Sequence, residues 1–266
     1  MENLLSRAQE IRIVFFDIDD TLREVASGLI PESVSRAFAA LRKKGILTAI
    51  ATGRNFYGVV PEVKALGADF YVTANGAYDM AATGEVIYEH HIPRARVSAL
   101  LDWLTSEASD YIFYGPDRVV ASRWDALIAD AIVPIYGELS VDPEYYLKAP
   151  VYQVLSISDH DQALVMPEDL ARELRMVRWH EHSSDIVPLK GSKADGAAKI
   201  LSRLGLTAEN AMNFGDGLND RELFDFTGLG VAMAGSHPEI LAKADYVTSE
   251  LRDDGIYKAL KTLDII

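Results

Sequence analysis

Ile11-Arg12-Ile13-Val14-Phe15-Phe16-Asp17-Ile18-Asp19-Asp20-Thr21 decides the interpretation, because three carboxylates follow directly on an apolar run. Branched and aromatic residues in such a run predict a strand buried on both faces, so the carboxylates lie where the strand leaves its sheet. At about 4 Å, two like charges repel by roughly 4 kcal/mol at an effective dielectric constant of about 20. A cation, a proton or a nearby lysine removes that cost. The stretch therefore predicts a divalent metal ion at the end of a buried strand.

The composition is that of an acidic globular protein without cysteine. Of the 266 residues, 49% are hydrophobic and 25% are charged, which fits one large domain or two smaller ones. Its 40 acidic and 26 basic residues give a formal net charge of -14, which argues against nucleic acid or an anionic membrane as a partner. The absence of cysteine excludes disulfides, thiolate zinc sites and cysteine nucleophiles.

The N-terminus does not resemble a secretion signal. Charged residues interrupt its apolar ones at Glu2, Arg7, Glu10 and Arg12, so the continuous apolar core of a signal peptide is missing. No later stretch approaches the length and apolarity of a membrane span. We therefore expect a cytoplasmic protein.

Strands and helices alternate at the start of the chain. Apolar residues at helical spacing predict a helix that begins near Pro31 and is capped by Gly45, and strands are predicted over 46–51 and 70–74. This order predicts an α/β fold with a doubly wound, mostly parallel, Rossmann-like sheet. Ligands of such sheets bind outside the carboxyl ends of the strands, so the polar residues found there are candidates.

A long insertion interrupts this pattern. We predict an α+β domain over 83–185, with helices over 97–104, 126–135 and 167–174 and strands over 111–114, 151–157, 176–182 and 185–189. The alternation then resumes with a helix over 194–204 and a strand over 211–214, which leads into Gly215-Asp216-Gly217-Leu218-Asn219-Asp220. Residues 1–82 and 186–266 are therefore predicted to form one core domain.

Polar side chains end four separate strand candidates: Asp17 with Asp19, Thr52, Asn75, and the run from Asp216 to Asp220. Any one of these side chains could be an ordinary helix cap or turn former. Capping does not account for all four strand ends together, nor for three carboxylates around one position. A calcium loop is excluded by spacing, because its glycine and glutamate positions hold Leu22 and Gly28.

Four ordered motifs resemble those of the haloacid dehalogenase (HAD) superfamily: Asp17-Ile18-Asp19-Asp20-Thr21, Thr52-Gly53-Arg54, Lys193, and the run Gly215 to Asp220. The Asn75-Gly76-Ala77 turn and the position of the insertion resemble the Cof-type branch of sugar-phosphate phosphatases with a large, C2B-like cap. The resemblance implies a catalytic core over 1–82 and 186–266 and a cap over 83–185 that sets substrate specificity.

The resemblance also implies a mechanism. Asp17 is the expected nucleophile, which forms an aspartyl phosphate, and Asp19 is the expected general acid and base. Mg²⁺ is the expected cofactor, held by the side chains of Asp17 and Asp216 and by the backbone carbonyl of Asp19. Having a carboxylate at position 19 favours phosphate monoesters as substrates.

Further site residues follow from the same resemblance. Thr52 and Gly53 are expected at the phosphoryl group, Asp220 beside a metal-bound water, and Asn219 beside Asp216 or Lys193. Lys193 would neutralise phosphate oxygens. Without the resemblance the sequence does not separate it from Lys190, and Lys193 is favoured because it opens the helix that follows.

Three positions stay open between a structural and a binding role. Asn75 and Gly76 either form a turn or contact the leaving group, and Arg54 either stiffens its loop or reaches the substrate. Substrate contacts by His180, His182 and Tyr145 in the insertion are not decided by the sequence. A transition-metal site at His180 and His182 lacks an evident third ligand.

The preferred hypothesis is a Mg²⁺-dependent phosphomonoester hydrolase that acts on a small phosphorylated metabolite, most simply a sugar phosphate. The alternatives are a phosphomutase on the same core and a catalytically silent regulator that binds a phosphometabolite. A receiver-type signalling domain also combines acidic residues, threonine and lysine. It is disfavoured because it is about half this length and carries its phosphorylated aspartate on a later strand. The sequence makes no prediction about the oligomeric state.

Overall fold

Strands and helices alternate along most of the chain in a computed structural model that describes residues 2–266. The strands are β1 (Ile13–Phe16), β2 (Leu47–Ala51), β3 (Phe70–Thr73), β4 (Tyr78–Ala81), β5 (Val86–Glu89), β6 (Asp110–Tyr114), β7 (Val119–Ala121), β8 (Ser140–Val141), β9 (Gln153–Ile157), β10 (Leu174–His180), β11 (Ser183–Pro188), β12 (Ala211–Gly215), β13 (Leu229–Ala232) and β14 (Tyr246–Val247). The α-helices are α1 (Glu2–Gln9), α2 (Glu32–Lys43), α3 (Pro61–Lys64), α4 (Arg94–Ser106), α5 (Ala126–Tyr136), α6 (Glu168–Ala171), α7 (Lys193–Leu204), α8 (Arg221–Phe226), α9 (Pro238–Lys243) and α10 (Gly255–Thr262). Short 3₁₀ turns connect several of these elements.

The first unit comprises residues 2–53, 60–88 and 192–266 and is built on an eight-stranded sheet of order β14-β13-β12-β1-β2-β3-β4-β5. Its strands run parallel from β14 to β3, and β4 then returns antiparallel to β3. All four residues of β1 are buried, as expected for a central strand covered on both faces. The predicted α/β fold with a mostly parallel sheet is therefore confirmed.

Helices cover both faces of this sheet. On one face, Ala197, Ile200 and Leu201 of α7 pack against Phe15 of β1 and Val72 of β3. On the other face, the ring of Phe16 lies 4.8 Å from that of Phe38 in α2 and 5.2 Å from that of Phe214 in β12, measured between centroids. Alternate side chains of β1 thus pack into the core layers on the two faces of the sheet.

The second unit comprises residues 54–59 and 89–191. Its six-stranded sheet has the order β10-β11-β9-β6-β7-β8 and is antiparallel except for the β7–β8 pair. Helix α4 packs on the sheet face that carries Phe113 and Val154, and α5 packs on the face that carries Ile112 and Leu155. The inserted residues thus form an α+β unit with a core of its own, and its role in specificity stays a prediction.

Some predicted elements differ from the observed ones. The predicted helix over 167–174 is only the single turn α6, because Leu174 already pairs with Pro188 as the first residue of β10. The strands β4 and β5 and the helix α1 have no counterpart in the prediction. Strand β4 is missed because Gly76 ends a tight turn that sends the chain straight back along β3, which the α/β alternation does not anticipate.

No helix within residues 2–266 combines the length and the apolarity needed to cross a membrane. The cytoplasmic location stays a prediction.

A buried carboxyl group lies on β4 beneath helix α7. Asp79 is fully buried, and within residues 2–266 neither of its carboxylate oxygens makes a hydrogen bond of ordinary geometry. A Cβ atom on Gly196 of α7 would lie 2.8 Å from its Oδ2 atom, so only glycine fits above it. Burial raises the pKa of Asp79 well above its usual value, and the backbone of Thr73 offsets only part of this effect.

We expect Asp79→Val to raise the free energy of unfolding at pH 8 by about 1–3 kcal/mol, because the change removes a buried polar group without a partner. The folded protein keeps the Asp79 proton to a higher pH than the unfolded chain does. The unaltered protein therefore loses stability as the pH rises above the usual carboxyl pKa of 3.8. Urea unfolding at pH 5 and pH 8 measures both effects.

The variant Asp79→Asn separates the effect of burying a polar group from the effect of titration, because it keeps a polar group but cannot titrate. It should weaken the pH dependence without the full gain in stability. A loss of stability in Asp79→Val at pH 8 would show that the ionised carboxylate has a partner in the folded protein, contrary to this expectation.

Candidate active site

Three carboxylates from two strand ends meet in the first unit. Asp17 follows β1 and Asp216 follows β12, and these strands are adjacent and parallel. The backbone N–H of Asp17 donates to the carbonyl oxygen of Phe214 at 3.0 Å, which continues the ladder up to the site. One carboxylate oxygen each from Asp17, Asp216 and Asp220 lies within 4.8 Å of the others. The pairing of β1 with β12 thus brings together Asp17 and Asp216, which are about two hundred residues apart in the chain.

Lys193 lies between two of these carboxylates. Its side chain is completely buried, and its Nζ atom donates to Oδ1 of Asp220 at 2.6 Å and to Oδ1 of Asp17. The lysine opens α7, where the Ser192 hydroxyl oxygen caps the helix by accepting from the backbone N–H of Asp195 at 3.1 Å. Lys190, by contrast, is exposed. The structure therefore places Lys193, and not Lys190, at the carboxylates.

Asp220 holds the loop that carries Asp216. Its Oδ2 atom accepts from the backbone N–H groups of Asp216 and Gly217 at 3.0 and 3.1 Å. A Cβ atom at position 215 would lie 2.5 Å from that same oxygen, so Gly215 is required for the carboxylate to reach the loop. Asp220 thus both fixes the loop and supplies an oxygen to the three-carboxylate cluster.

Thr21 has a role that the sequence did not reveal. Its hydroxyl donates to Oδ1 of Asp216 at 2.7 Å, although the sequence analysis gave it no role beyond its place in the first motif. The only indication of this role in the sequence is the position of Thr21 immediately after the acidic run. The sequence does not reveal its partner, because Asp216 lies 195 residues away. Thr21 orients one carboxylate of the cluster.

Asp19 lies on the turn that follows Asp17 and is half-buried. The backbone N–H groups of Leu22 and Arg23 both donate to the carbonyl oxygen of Ile18, at 2.9 and 2.8 Å, which curls the chain directly after the strand. Asp20 takes a left-handed backbone conformation with φ 56°, which aspartate tolerates better than most residues. The turn thus presents Asp19 two residues beyond Asp17 while Asp20 is exposed.

The electrostatics of the cluster favour a bound cation. Burial, partly offset by Lys193 and reinforced by Asp220, raises the pKa of Asp17 well above its usual range. Burial and Asp220 raise the pKa of Asp216 to about 7. Burial lowers the pKa of Lys193, but the carboxylates of Asp17 and Asp220 outweigh it and the net shift is upward, so the lysine is charged.

The donor set fits Mg²⁺. Three carboxylates and one ammonium group leave two negative charges when all are ionised, which one divalent cation balances. All three side chains offer hard oxygen donors, which Mg²⁺ prefers, and the cluster contains neither histidine nor cysteine. Residues 2–266 hold no other group of three or more acidic or histidine side chains that meets the same distance test.

A second set of predicted residues lies at the ends of β2 and β3. The backbone N–H of Asn75 donates to the carbonyl oxygen of Thr52 at 3.1 Å, and Nδ2 of Asn219 donates to Oδ1 of Asn75 at 3.3 Å. A Cβ atom on Gly53 would lie 3.3 Å from that Oδ1 atom. Thr52, Gly53, Asn75 and Asn219 thus form one group. The partner of Asn219 in it is Asn75, where the sequence suggested Asp216 or Lys193.

Gly76 connects this group to Lys193. It has a φ of +84°, and a Cβ atom there would lie 2.1 Å from the carbonyl oxygen of Ser192. No other residue type fits so close to that backbone. Gly76 therefore allows the turn after β3 to pack directly against the residue that precedes Lys193.

Arg54 is buried in the second unit. Its Nη1 atom donates to the carbonyl oxygens of Gly58 and Ile135 at 3.0 and 3.1 Å. In the same unit, the rings of His180 and His182 lie 5.8 Å apart, and no third acidic or histidine ligand completes a metal group with them among the described residues. The Tyr145 hydroxyl donates to Asp117 at 3.3 Å.

The chain is similar to one known protein family and to several relatives and solved structures. A family model described as haloacid dehalogenase-like hydrolase matches residues 14–260. One relative, from Streptococcus pyogenes, is named as a candidate bifunctional phosphatase and peptidyl-prolyl cis-trans isomerase. It is 45% identical over 98% of this chain, and this chain spans 55% of the length of that relative.

Two further relatives match over nearly their whole length. A candidate phosphatase of Bacillus subtilis, YkrA, is 32% identical and covers 96% of this chain and 98% of its own. The solved structure of the HAD subclass IIB sugar phosphatase BT4131 superimposes with a TM-score of 0.84 at 28% identity, over 96% of this chain and 100% of that one.

Proposed function

Because this chain belongs to the haloacid dehalogenase-like hydrolase family, we propose that it is a phosphatase that hydrolyses a small phosphate monoester, most simply a sugar phosphate, with the help of Mg²⁺. The observation that carries this proposal is the buried cluster of Asp17, Asp216 and Asp220 around the ammonium group of Lys193. The sugar phosphatase among its structural relatives supports the substrate class.

Asp17 is the nucleophile in this proposal. One of its carboxylate oxygens attacks phosphorus in line with the departing ester oxygen, so a phosphorus–oxygen bond forms to Asp17 as the ester bond breaks. In this proposal the attacking oxygen is Oδ2, since Lys193 donates to Oδ1 of Asp17. Bound Mg²⁺ supplies charge stabilisation for the phosphoryl oxygens, and Asp17, Asp216 and the carbonyl oxygen of Asp19 would hold it.

Asp19 moves the protons. It donates a proton to the departing ester oxygen and so releases an alcohol. It then takes a proton from the water that attacks the aspartyl phosphate, which releases inorganic phosphate and restores Asp17. The half-buried position of Asp19, on the turn two residues beyond Asp17, suits a group that must reach both the leaving group and water.

Thr52 and Lys193 stabilise the transferring group. The Thr52 side chain at the end of β2 would donate to a phosphoryl oxygen. The ammonium group of Lys193, whose side chain is fully buried, would neutralise the charge that develops on the phosphoryl group. Asn75, held by Asn219, would orient the leaving group from the neighbouring strand end.

Phosphate release from a panel of phosphate monoesters tests the proposal. We expect sugar phosphates to be hydrolysed in the presence of Mg²⁺, and the activity to disappear on chelation and return when Mg²⁺ is restored. Pyridoxal phosphate, flavin mononucleotide and nucleotides complete the panel, because the substrate class is the least constrained part of the proposal.

Other outcomes point to other functions. Transfer of the phosphoryl group between positions of one sugar without phosphate release would indicate a phosphomutase. Tight binding of a sugar phosphate without turnover, with Mg²⁺ bound, would contradict the hydrolase proposal and indicate a regulator that responds to a phosphometabolite.

A further inference from the structure

The segment 54–59, here called the anchor segment, belongs to the second unit although the residues on both sides of it belong to the first. Gly53 precedes it and Val60 follows it, so the chain leaves the first unit for only six residues at this point. Thr52, the proposed phosphate ligand, lies two residues before the segment. Only Gly53 therefore separates the anchor segment from Thr52.

Two side chains fix the anchor segment to the rest of the second unit. Nη1 of Arg54 donates to the carbonyl oxygen of Ile135 in α5 at 3.1 Å, and its guanidinium group lies 6.0 Å from the centre of the Tyr136 ring. Nδ2 of Asn55 donates to the carbonyl oxygens of Gly115 and Arg118, both at 3.2 Å. Both side chains are buried, which strengthens each of these hydrogen bonds.

The segment is also closed on itself and packed tightly. The backbone N–H of Gly58 donates to Oδ1 of Asn55 at 2.9 Å, and the Gly58 carbonyl oxygen accepts from Nη1 of Arg54 at 3.0 Å. A Cβ atom on Gly58 would lie 2.1 Å from the ring of Tyr136, so the backbone rests directly on that ring. The anchor segment is thus closed by its own hydrogen bonds and packed against α5.

A similar arrangement occurs where the second unit ends. Nη2 of Arg175 in β10 donates to the carbonyl oxygen of Gly191 at 2.8 Å, and the backbone N–H of Leu189 donates to the carbonyl oxygen of Glu173 at 2.7 Å. Gly191 is the last residue of the unit and lies two residues before Lys193. Two junctions of the inserted unit therefore adjoin proposed phosphate ligands, and an arginine holds a backbone carbonyl at each.

We propose that Arg54 is a positioning residue that fixes the anchor segment to the second unit and thereby restrains Thr52, two residues earlier in the chain, at the phosphoryl group. The proposal rests on the proposed function, in which Thr52 binds phosphate. Arg54 acts through the backbone, because the structure directs its Nη1 atom to two carbonyl oxygens. Arg175 and Gly191 provide the corresponding attachment on the side of Lys193.

The test compares four variants: Arg54→Ala, Arg54→Lys, Asn55→Ala and Arg178→Ala. Asn55 anchors the same segment with an uncharged side chain, so it distinguishes positioning from a direct contact between Arg54 and phosphate. Arg178 is the matched control, because its Nη2 atom also donates to two carbonyl oxygens of the second unit, those of Asp161 and Leu164 at 3.3 and 2.8 Å. It is remote in sequence from both junctions.

Two binding measurements and one kinetic measurement are made on each variant. Calorimetry gives the Kd of Mg²⁺ and, with Mg²⁺ present, the Kd of inorganic phosphate, and phosphate release gives kcat and KM. The phosphate measurement does not need turnover, so it also applies to a protein that hydrolyses none of the panel. Circular dichroism and thermal unfolding confirm that each variant is folded.

We expect Arg54→Ala and Asn55→Ala each to weaken phosphate binding about tenfold and to lower kcat by about 10- to 100-fold, because a displacement of a ligand near 1 Å has effects of this size. The Kd of Mg²⁺ should stay within about twofold, since the metal ligands lie outside the anchor segment. Arg54→Lys should recover part of the loss, because the lysine ammonium group can donate to the same carbonyl oxygens but lacks the planar geometry of the guanidinium group. Arg178→Ala should leave phosphate affinity and kcat unchanged.

Two results would overturn the proposal. A loss in Arg54→Ala that Asn55→Ala does not reproduce would identify Arg54 as a direct phosphate ligand. Equal losses in Arg178→Ala and Arg54→Ala would show that the effect is a general loss of structure in the second unit. Failure of Arg54→Ala to fold leaves Arg54→Lys and Asn55→Ala to decide. An unaltered protein that binds phosphate without turnover contradicts the hydrolase proposal while these comparisons remain valid.

Discussion

Replacement of Asp17 by asparagine is expected to lower kcat for phosphate release by about 10⁴-fold or more, because removal of a nucleophile leaves only binding and charge stabilisation to assist the reaction. The amide has the size of the carboxylate, so the fold should survive the change. Lys193 keeps its hydrogen bond to Asp220 in this variant. Phosphate release under saturating substrate measures the effect, and calorimetry with Mg²⁺ shows whether the metal still binds.

Asp20→Asn is the matched control for this experiment. Asp20 lies in the same acidic run but is exposed, and its Oδ1 atom accepts from the backbone N–H of Val25 at 2.9 Å, which an asparagine oxygen can also do. Asparagine also tolerates the left-handed backbone at this position. We expect kcat of this variant to stay within a few fold. A kcat of Asp17→Asn close to that of the unaltered enzyme would falsify the assignment of Asp17 as nucleophile.

Replacement of Lys193 by methionine is expected to lower kcat by about 10³-fold, since a preorganised positive charge at the phosphoryl group is lost. It should also lower the free energy of unfolding without Mg²⁺ by about 3–5 kcal/mol, because Asp17 and Asp220 lose their buried counterion. Mg²⁺ should restore part of this stability through binding to the folded protein. Urea unfolding with and without Mg²⁺ measures the second effect.

Lys190→Met is the control for this variant. Lys190 lies three residues earlier and is exposed, so its replacement should change neither kcat nor stability appreciably. Equal activity of Lys193→Met and the unaltered enzyme would contradict a role of this charge in catalysis. An unchanged free energy of unfolding would instead show that the buried carboxylates are protonated in the protein without metal.

A hydrolase and a silent regulator differ in their need for Asp17 but not in their need for Lys193. Both would need Lys193 for the stability of the cluster, because the ion pairs exist without substrate. Only a hydrolase would need Asp17 for turnover. Loss of stability in Lys193→Met combined with no turnover in any form of the protein would therefore favour the regulator.

The core architecture and the main carboxylates were predictable from the sequence, because they follow from residue patterns within short segments of the chain. A buried strand between helices has its own apolar pattern, and a parallel sheet must bring the carboxyl ends of such strands to one edge. Asp17 and Asp216 could therefore be predicted as neighbours before any distance was known, and they lie together in the structure. The insertion was recognisable because its pattern of strands and helices breaks the alternation.

Other features depended on the tertiary structure, because they are set by contacts between residues far apart in the chain. Lys193 was favoured over Lys190 because it opens α7, but its contacts with Asp17 and Asp220 form only when α7 packs against the sheet. The bond from Thr21 to Asp216 spans 195 residues, and the pairing of Asn219 with Asn75 spans 144. The sequence of Arg54 to Val59 gives no sign that this segment belongs to the second unit. Periodicity determines which residues are buried and where strands end, but the partner of each polar side chain is decided only when the elements pack.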